Sequence, residues 1–551
     1  MQRPTHFSTK QRTTLTLLLL VLIALAACLP FLLQHQIYNQ DDFLFHKNRL
    51  LAYYTSVVHD HNLFPGVFPQ MANGYGYAAD FFYNSLPLLP FVALKWLLGG
   101  FVLPYNLYLG LISITTALTA YFCARAARFS SQQAFLLATL YTTNTYRLIN
   151  AYIRGALGET LAYIIIPIAV LGFYQTLQGN RRGCLTLAAG MALLMIVHPL
   201  SVFMLGLIFI GIDIWVILRR RTGRMLLLQA QAALIFVALA AFILFPILEQ
   251  EVAQPLYLTG TPTLWSIGET FSLDKLILGS IGNKSGVWSH LVPNVGPLAL
   301  AILVFACTQF RRESTTVRHL TVLTAILFVL STNLVLWALV DHTFLAIIQM
   351  EWRFLSFVAL AVAILGACLI RKHRGLIAFI AVLLAVSFNA TALYHFQAEG
   401  TLKLTDQNIT KTAPEAIGGG AEFLPSAVTN YYDRATTDNL MQDVLADTHV
   451  VAKGTVNQNG RITVARVQSG AGQLAIAKFY YPGYVVKRNG TPITITAKHG
   501  FVTVPLKRGH YTITYQGTTV QRVAGITSLV AWLLFASSIF WRQWHLPNRR
   551  H

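Results

Sequence analysis

The chain has 551 residues, 55% of them hydrophobic and only 11% charged, with a mean hydropathy of +0.54 and a formal net charge of +20. A soluble domain carries about 25% charged residues, so composition excludes an ordinary soluble enzyme and points to a polytopic membrane protein. Lys and Arg cluster in short loops between apolar runs, as the positive-inside rule predicts, and no basic face interleaved with aromatics marks a nucleic-acid binder.

Residues 1–12 are polar and basic and are expected in the cytoplasm, and Thr13 to Leu33 reads as the first span. Leu25-Ala26-Ala27-Cys28 resembles a lipoprotein cleavage box, but the chain stays apolar through Leu33, which favours an uncleaved helix. A long outer loop, 34–86, follows. Next comes Leu86 to Leu98, interrupted by Pro87, Pro90 and Lys95 and closed by Gly99-Gly100. It is too short to span, so a re-entrant or interfacial course is expected. Val102 to Tyr121 crosses to a loop carrying Arg125 and Arg128.

Spans near 131–149, 160–178, 183–198, 200–218 and 227–248 lead to a second outer loop, 249–292. Spans near 293–309, 320–340, 354–370 and 375–394 then lead to a polar segment, 395–522, and a last span near 524–541 with a basic tail. Arg-rich loops (Arg181-Arg182, Arg219 to Arg224, Arg311 to Arg318, Arg371 to Arg374) all fall on one side. The expected fold is a polytopic α-helical membrane protein of about 12–13 transmembrane helices with both termini cytoplasmic. Its divisions are a membrane domain 1–394, an extracytoplasmic domain 395–522, and a final helix with tail 523–551.

Residues 395–522 have strand-like alternation in Arg461 to Arg466, Gln473 to Tyr481, Thr494 to Ala497, Phe501 to Leu506 and Tyr511 to Tyr515. Asn459-Gly460, Pro482-Gly483, Asn489-Gly490 and Arg508-Gly509 punctuate them. This pattern predicts a small antiparallel β domain, a sandwich, outside the membrane. The five cysteines all lie in or beside apolar runs, so no disulfide framework and no Cys-based metal site is expected there.

Four constellations carry unusual polarity, and the loop charges place all four on the non-cytoplasmic side. Asp41-Asp42 opens the first outer loop, with His46, Lys47 and Arg49 following. A carboxylate at the membrane boundary suits a general base, and the pair also suits a divalent cation; the bland reading is a solvated acidic pair. Arg154 and Glu159 stand at the outer end of a span, where charge is costly unless paired or serving a polar cavity. Arg suits a phosphate because its fork bonds two oxygens. His198-Pro199 breaks an apolar stretch. Arg353, beside the interface anchor Trp352, lies where the positive-inside rule does not place an arginine. Glu249 to Glu251 either line an acceptor path or end a helix, and Asp213 is expected to pair with the Arg219 to Arg224 cluster.

The order of short motifs resembles the GT-C glycosyltransferases, and more closely the bacterial YfhO-type membrane proteins and relatives labelled "6-pyruvoyl-tetrahydropterin synthase-related". The carriers are Asp42-Phe-Leu-Phe-His46 with Arg49, Phe64-Pro65, Gly74-Tyr-Gly-Tyr77, Tyr152-Ile-Arg154 with Glu159, and Gln349-Met-Glu-Trp-Arg353-Phe. Glu422-Phe-Leu-Pro425 and Phe479-Tyr-Tyr-Pro-Gly-Tyr484 through Pro505-Leu-Lys-Arg-Gly509 continue the series. Two departures stand out: Asn84-Ser85-Leu86-Pro87 replaces a Pro-Pro-Leu, and Met350-Glu351 precedes Trp352 where an apolar–Pro pair is commoner. No zinc-ligand histidine cluster of a pterin synthase is present in the soluble part.

The resemblance implies an inverting transfer of sugar from a polyprenyl-phosphate donor to an envelope glycan or lipid in the bacterial inner membrane. Asp42 would be the base, with Asp41 its alternative. Arg154 and Arg353 would hold phosphate, and His46, Arg49 and Glu159 would line the substrate site; His198, outside the matching motifs, is a secondary substrate-site candidate from its position alone, a lone histidine at a helix break being more often structural. No cofactor is implied beyond the open divalent cation at Asp41 and Asp42. An envelope-lipid flippase, or a non-catalytic envelope-assembly protein, is the competing reading; the first calls for internal repeats and midplane charges, and no repeat is apparent.

Overall fold

The computed structural model describes residues 8–545, except 33, 39, 220–221, 261–270, 287–289, 341–342, 370–379, 381–382, 385–386, 388–402, 436–460 and 465–471. Most of the expected 375–394 span, the basic loop at 371–374 and the Asn459-Gly460 turn therefore lie outside the described residues. The chain forms two compact units. One comprises 1–46, 90–232 and 265–409; the other comprises 47–89, 233–264 and 410–551.

The first unit is helical. Helix Thr9–Ala26 starts at a capping box in which Ser8 and Gln11 bond each other's backbone, and Ser131–Thr142 repeats the device with Ser130 and Gln133. Among the described residues of the whole chain, five helices are long and apolar enough to cross a membrane: Val102–Ala126, Leu157–Leu177, Pro199–Ile217, Glu351–Leu369 and Thr519–Ile539. Other expected spans are shorter. Ser131–Thr142 has 12 residues because Asn144 caps a new turn, Thr145–Leu148. Arg181–Val197 has 17 and stops at His198, after which Pro199 occupies the first turn of the next helix. Leu86–Leu98 is a 3-10 turn followed by a ten-residue helix, too short to cross, as its prolines and lysine implied.

Helices Leu157–Leu177 and Arg181–Val197 pack closely through small residues. A Cβ on Gly172 would lie 2.2 Å from the Leu187 nitrogen, and one on Gly190 2.7 Å from the Ala169 Cα. Such contact lets dispersion replace the hydrophobic drive that a bilayer withholds. A two-residue ladder joins β1 (Ile37–Tyr38) to β2 (Lys403–Leu404), antiparallel. Asp213 accepts from Gln229 Nε2 at 3.1 Å, and Arg220 and Arg221 of the cluster expected to pair with it lie outside the described residues. Arg219 turns its guanidinium onto the Trp215 ring, 4.7 Å from the centroid.

The second unit contains the β domain. Its strands are β3 (Arg461–Val464), β4 (Gln473–Phe479), β5 (Tyr484–Arg488), β6 (Thr491–Ile493), β7 (Thr496–Lys498), β8 (Phe501–Pro505) and β9 (Gly509–Tyr515). They make two antiparallel sheets, ordered β3-β9-β5-β6 and β4-β8-β7. Leu474, Ile476, Val502 and Val504 of one sheet meet Val486, Tyr511 and Ile513 of the other in a shared core, which is the sandwich expected. The β5–β6 turn is the expected Asn489-Gly490, both at positive φ (49° and 84°), as a two-residue hairpin requires.

Within this unit the long loop that follows the first span is packed against the β domain by the short motifs themselves. Tyr75 stacks on Phe479 (ring centroids 5.4 Å apart), and Phe82 stacks on Phe423 at 4.3 Å. Tyr77 Oη accepts from the Phe423 nitrogen at 3.1 Å, and Tyr481 Oη donates to the Phe423 carbonyl at 2.9 Å. Lys478 Nζ donates to the Pro69 and Gly74 carbonyls. Several motifs spread along the sequence are thus one packing surface.

The expected 227–248 span is two helices, Gly223–Leu239 and Ala241–Ala253, bent by 73°. The bend frees backbone groups, and the last helix, Thr519–His545, satisfies them. Ser528 Oγ accepts from the Phe242 nitrogen at 2.9 Å, and Trp532 Nε1 donates to the Leu239 carbonyl at 3.1 Å. Backbone groups freed by a bend in an apolar helix pair need partners of this kind. Glu249 accepts from Thr518 Oγ1 and Gln521 Nε2 at 2.8 and 3.0 Å, so it fastens this junction.

Candidate active site

The first unit gathers three charged side chains, Asp42, Arg154 and Arg353, around a fourth, Glu159. Helix Thr145–Leu148 runs into a five-residue π-turn, Ile149–Ile153, that delivers Arg154; Gly155 then turns the chain at φ +65° into helix Leu157–Leu177. Such π-turns recur at functional sites because they re-aim side chains that an α-helix would misplace. Glu159, in the first turn of the new helix, faces back toward Arg154.

Glu159 is 5% exposed and both its oxygens are occupied. Oε1 lies 3.0 Å from Arg154 Nη1 and 3.0 Å from Arg353 Nε; Oε2 accepts from Asn150 Nδ2 at 3.0 Å and Tyr146 Oη at 3.3 Å. A buried carboxylate so engaged holds guanidiniums in place and takes no proton from a substrate. Arg154 is fixed further by Asn150 Oδ1 (2.8 Å) and by the Trp352 ring, 4.5 Å below its guanidinium. Tyr146 and Phe271 meet that ring edge-on.

Arg353 Nη1 donates to Gln349 Oε1 at 2.7 Å and to the Ile348 carbonyl at 3.1 Å. Gln349 has φ +62° and ψ −46°, a strained conformation for a residue with a side chain, and strain of this kind clusters at functional sites. Glu351, the departure noted in this motif, is buried and accepts from the Phe271 nitrogen at 3.2 Å. It anchors the loop that supports Trp352.

Asp42 is brought to this group by a strap. Its own nitrogen donates to the Arg154 carbonyl at 2.7 Å, and Gln40 Nε2 donates to the Tyr152 carbonyl at 2.7 Å. Asp42 then opens helix Phe43–Val58, a position that favours Asp. Its Oδ2 lies 3.5 Å from Arg154 Nη2, while its side chain stays 44% accessible. Loss of surrounding water raises its carboxyl above the ordinary 3.8, and Arg154 and Arg353 oppose the rise. Because solvent still reaches the group, part of that rise is offset.

Gly155 is where the strap comes closest. A Cβ there would stand 2.5 Å from Gln40 Oε1. Gly155→Val is expected to cost about 1–2 kcal/mol for its left-handed backbone alone, and more through the displaced strap. A melting curve of the purified protein checks this, and an unchanged midpoint would show that the strap accepts a side chain.

The structure thus brings together Asp42, Arg154, Glu159 and Arg353 from three distant parts of the sequence. His198 lies within electrostatic range of Glu159, and its Nδ1 is 2.7 Å from Ser201 Oγ. His46 is buried one helical turn beyond Asp42, and Asp41 is half-buried beside it. Arg49, expected at the substrate, belongs to the second unit. There it donates to the Asn84 carbonyl at 2.9 Å, covers Tyr83 and faces Asp80, whose oxygens accept from the Gly66 and Ser85 nitrogens. That set of bonds folds the long loop upon itself.

Among the described residues no group of three or more His, Cys, Asp or Glu side chains is placed to hold a metal ion. At Asp42 the neighbouring cation is already Arg154, whose charge repels a divalent ion.

Asn150, Tyr146 and Gln40 were not singled out from the sequence, and Gln349 was named only as the first residue of the Trp352-Arg353 motif. Asn150 stands four residues before Arg154, a helical-neighbour spacing that was a usable signal.

The chain has likenesses among solved structures. It aligns with the mycobacterial arabinofuranosyltransferase AftD at 16% identity and TM-score 0.45, covering 72% of this chain and 27% of that one. It aligns with ArnT from Cupriavidus metallidurans, solved with undecaprenyl phosphate, at 11% identity and TM-score 0.39, covering 70% and 78%. The Archaeoglobus fulgidus oligosaccharyltransferase gives 14% identity and TM-score 0.38, covering 70% and 56%. The chain therefore spans about a quarter of the length of the arabinofuranosyltransferase it matches. No curated protein matches it. The profile of the 6-pyruvoyl-tetrahydropterin synthase related domain, a membrane-protein family, matches residues 81–397, more than half of the chain. The chain belongs to that family of membrane proteins.

Proposed function

We propose that the protein is an inverting glycosyltransferase. It moves a sugar from a polyprenyl-phosphate donor to an envelope glycan or lipid on the extracytoplasmic side of the bacterial inner membrane. The observation that carries this reading is a half-exposed carboxylate, Asp42, set against two guanidiniums that a buried Glu159 holds. Asp42 takes the proton of the acceptor hydroxyl as that oxygen bonds to the anomeric carbon. The bond from that carbon to the phosphate oxygen breaks, and its electron pair leaves with the phosphate. Arg154 and Arg353 offset the charge left there. Residues 395–522 lie outside the membrane in this reading and position the acceptor, with both termini cytoplasmic.

Two measurements test it on purified protein supplied with a short-chain polyprenyl-phosphate sugar and an envelope extract as acceptor. Arg353→Lys keeps the charge but loses the fork, so donor KM is expected to rise about tenfold, the worth of one charge-assisted hydrogen bond. The pH profile is the second. The carboxylate form of Asp42 is needed, and its carboxyl is raised by lost hydration, so activity falls as pH drops through that raised value. The acid limb of kcat/KM is expected above the ordinary 3.8. Absence of sugar transfer with every acceptor fraction, alongside transport of the lipid donor across vesicles, would favour the flippase reading.

A further inference from the structure

Both guanidiniums of the site are gripped in the same way. Each has an amide residue four positions before it, Asn150 before Arg154 and Gln349 before Arg353. Each amide oxygen accepts from Nη1, at 2.8 Å for Asn150 Oδ1 and 2.7 Å for Gln349 Oε1. The second hydrogen of each Nη1 is also taken, by Glu159 Oε1 at 3.0 Å in Arg154 and by the Ile348 carbonyl at 3.1 Å in Arg353. With Nη1 spent, Nη2 is the end of each fork left to offer. That of Arg154 has its long 3.5 Å contact with the half-exposed Asp42, and that of Arg353 bonds nothing among the described residues.

The two grips are reached on unlike backbones. Asn150 lies in the π-turn. Gln349 stands at φ +62° and ψ −46°, and the Met350 nitrogen donates across it to the Ile348 carbonyl at 2.7 Å. That bond closes a γ-turn of the rare, strained hand. Glycine adopts a positive φ at no steric cost, so a turn needed only for its backbone calls for glycine. The chain carries glutamine instead, and its side chain bonds Arg353. The oxygen that holds Arg353 is also uncharged. A carboxylate there would grip the fork as well, but it would cancel the charge that a phosphate needs.

We propose that Gln349 is a positioning residue for the phosphate of the sugar donor. It fixes Arg353 by Nη1 with a neutral oxygen and so presents Nη2 with the guanidinium charge intact, as Asn150 does for Arg154. This rests on the reading that the two arginines hold that phosphate.

The test titrates the full chain in detergent with farnesyl phosphate by calorimetry and reads the melting midpoint without ligand. Gln349→Glu keeps the oxygen and adds a negative charge beside Arg353. Farnesyl phosphate should then bind about tenfold more weakly, while the ligand-free midpoint does not fall. Gln349→Gly relaxes the turn but drops the grip, and should show the same split. In an Arg353→Lys background Gln349→Gly should weaken binding no further, since an ammonium has no fork to orient. Wild-type affinity in both Gln349 variants, or a midpoint that falls together with affinity in both, would overturn the proposal and leave Gln349 a role in folding alone. Failure of the wild type itself to bind farnesyl phosphate would remove the phosphate reading, and this inference with it.

Discussion

Asp42→Asn is expected to lower sugar transfer by about 10²–10⁴-fold, the range for removing a general base, and to leave the melting midpoint nearly unchanged. The two outcomes separate because of where the side chain sits. Asp42 is 44% accessible, and its ion contact with Arg154 is long at 3.5 Å. Arg154 keeps Glu159, Asn150 and the Trp352 ring when that contact goes. The backbone strap, from the Asp42 nitrogen to the Arg154 carbonyl, does not involve the side chain. Asp41→Asn is the matched control and should retain most activity, since the contact with Arg154 falls on Asp42. Equal activity in wild type and Asp42→Asn, with the protein demonstrably folded, would remove Asp42 from the mechanism.

Glu159→Gln is expected to do the reverse: it should damage the fold before it damages a chemical step. Two guanidiniums, at 3% and 11% exposure, rest on one carboxylate oxygen at 3.0 Å each. Removing one partner of a buried pair leaves an uncompensated charge and costs about 3–5 kcal/mol. Here the same oxygen serves two cations, so the upper part of that range is expected. Melting in detergent reads it directly. Adding Arg353→Met to Glu159→Gln should recover part of the loss, because the double variant buries one cation fewer. If the two changes simply add, Glu159 and Arg353 are not energetically coupled, and the shared-carboxylate geometry has no consequence for stability.

The sequence carried the membrane class, the β sandwich, the short course of 86–98 and the break at His198-Pro199, since each rests on local signals: hydropathy, alternation, turn residues and proline. Asp42, Arg154, Glu159 and Arg353 were also visible one at a time, as charges too expensive to be idle at span ends. Their division of labour was not. Nothing local says that Glu159 spends both oxygens on other side chains, or that Arg49 is taken up by the Asn84 carbonyl and Tyr83. Arg154, Asn150 and Tyr146 are near Glu159 in sequence but reach it only through the π-turn, whereas Arg353, and the partners of Arg49, come from well outside any local window. The 73° bend at Ala240 was hidden for the same reason, because the groups that tolerate it, Ser528 and Trp532, lie nearly 300 residues downstream.

The π-turn at Ile149–Ile153 has a consequence for what kind of mutation the site tolerates. A π-turn holds one residue more than an α-turn, so it acts as a phase shift written into the helix. Substitutions along it change contacts, but a single-residue deletion anywhere within it changes phase. The helix could then close with regular bonds and gain in local regularity, while Arg154 would rotate by about 100° and retreat by about 1.5 Å. Asp42, whose nitrogen is tied to the Arg154 carbonyl, would have to follow. In-frame loss of one codon between 149 and 153 is therefore the smallest genetic change expected to leave a well-folded bundle with its charged residues out of register.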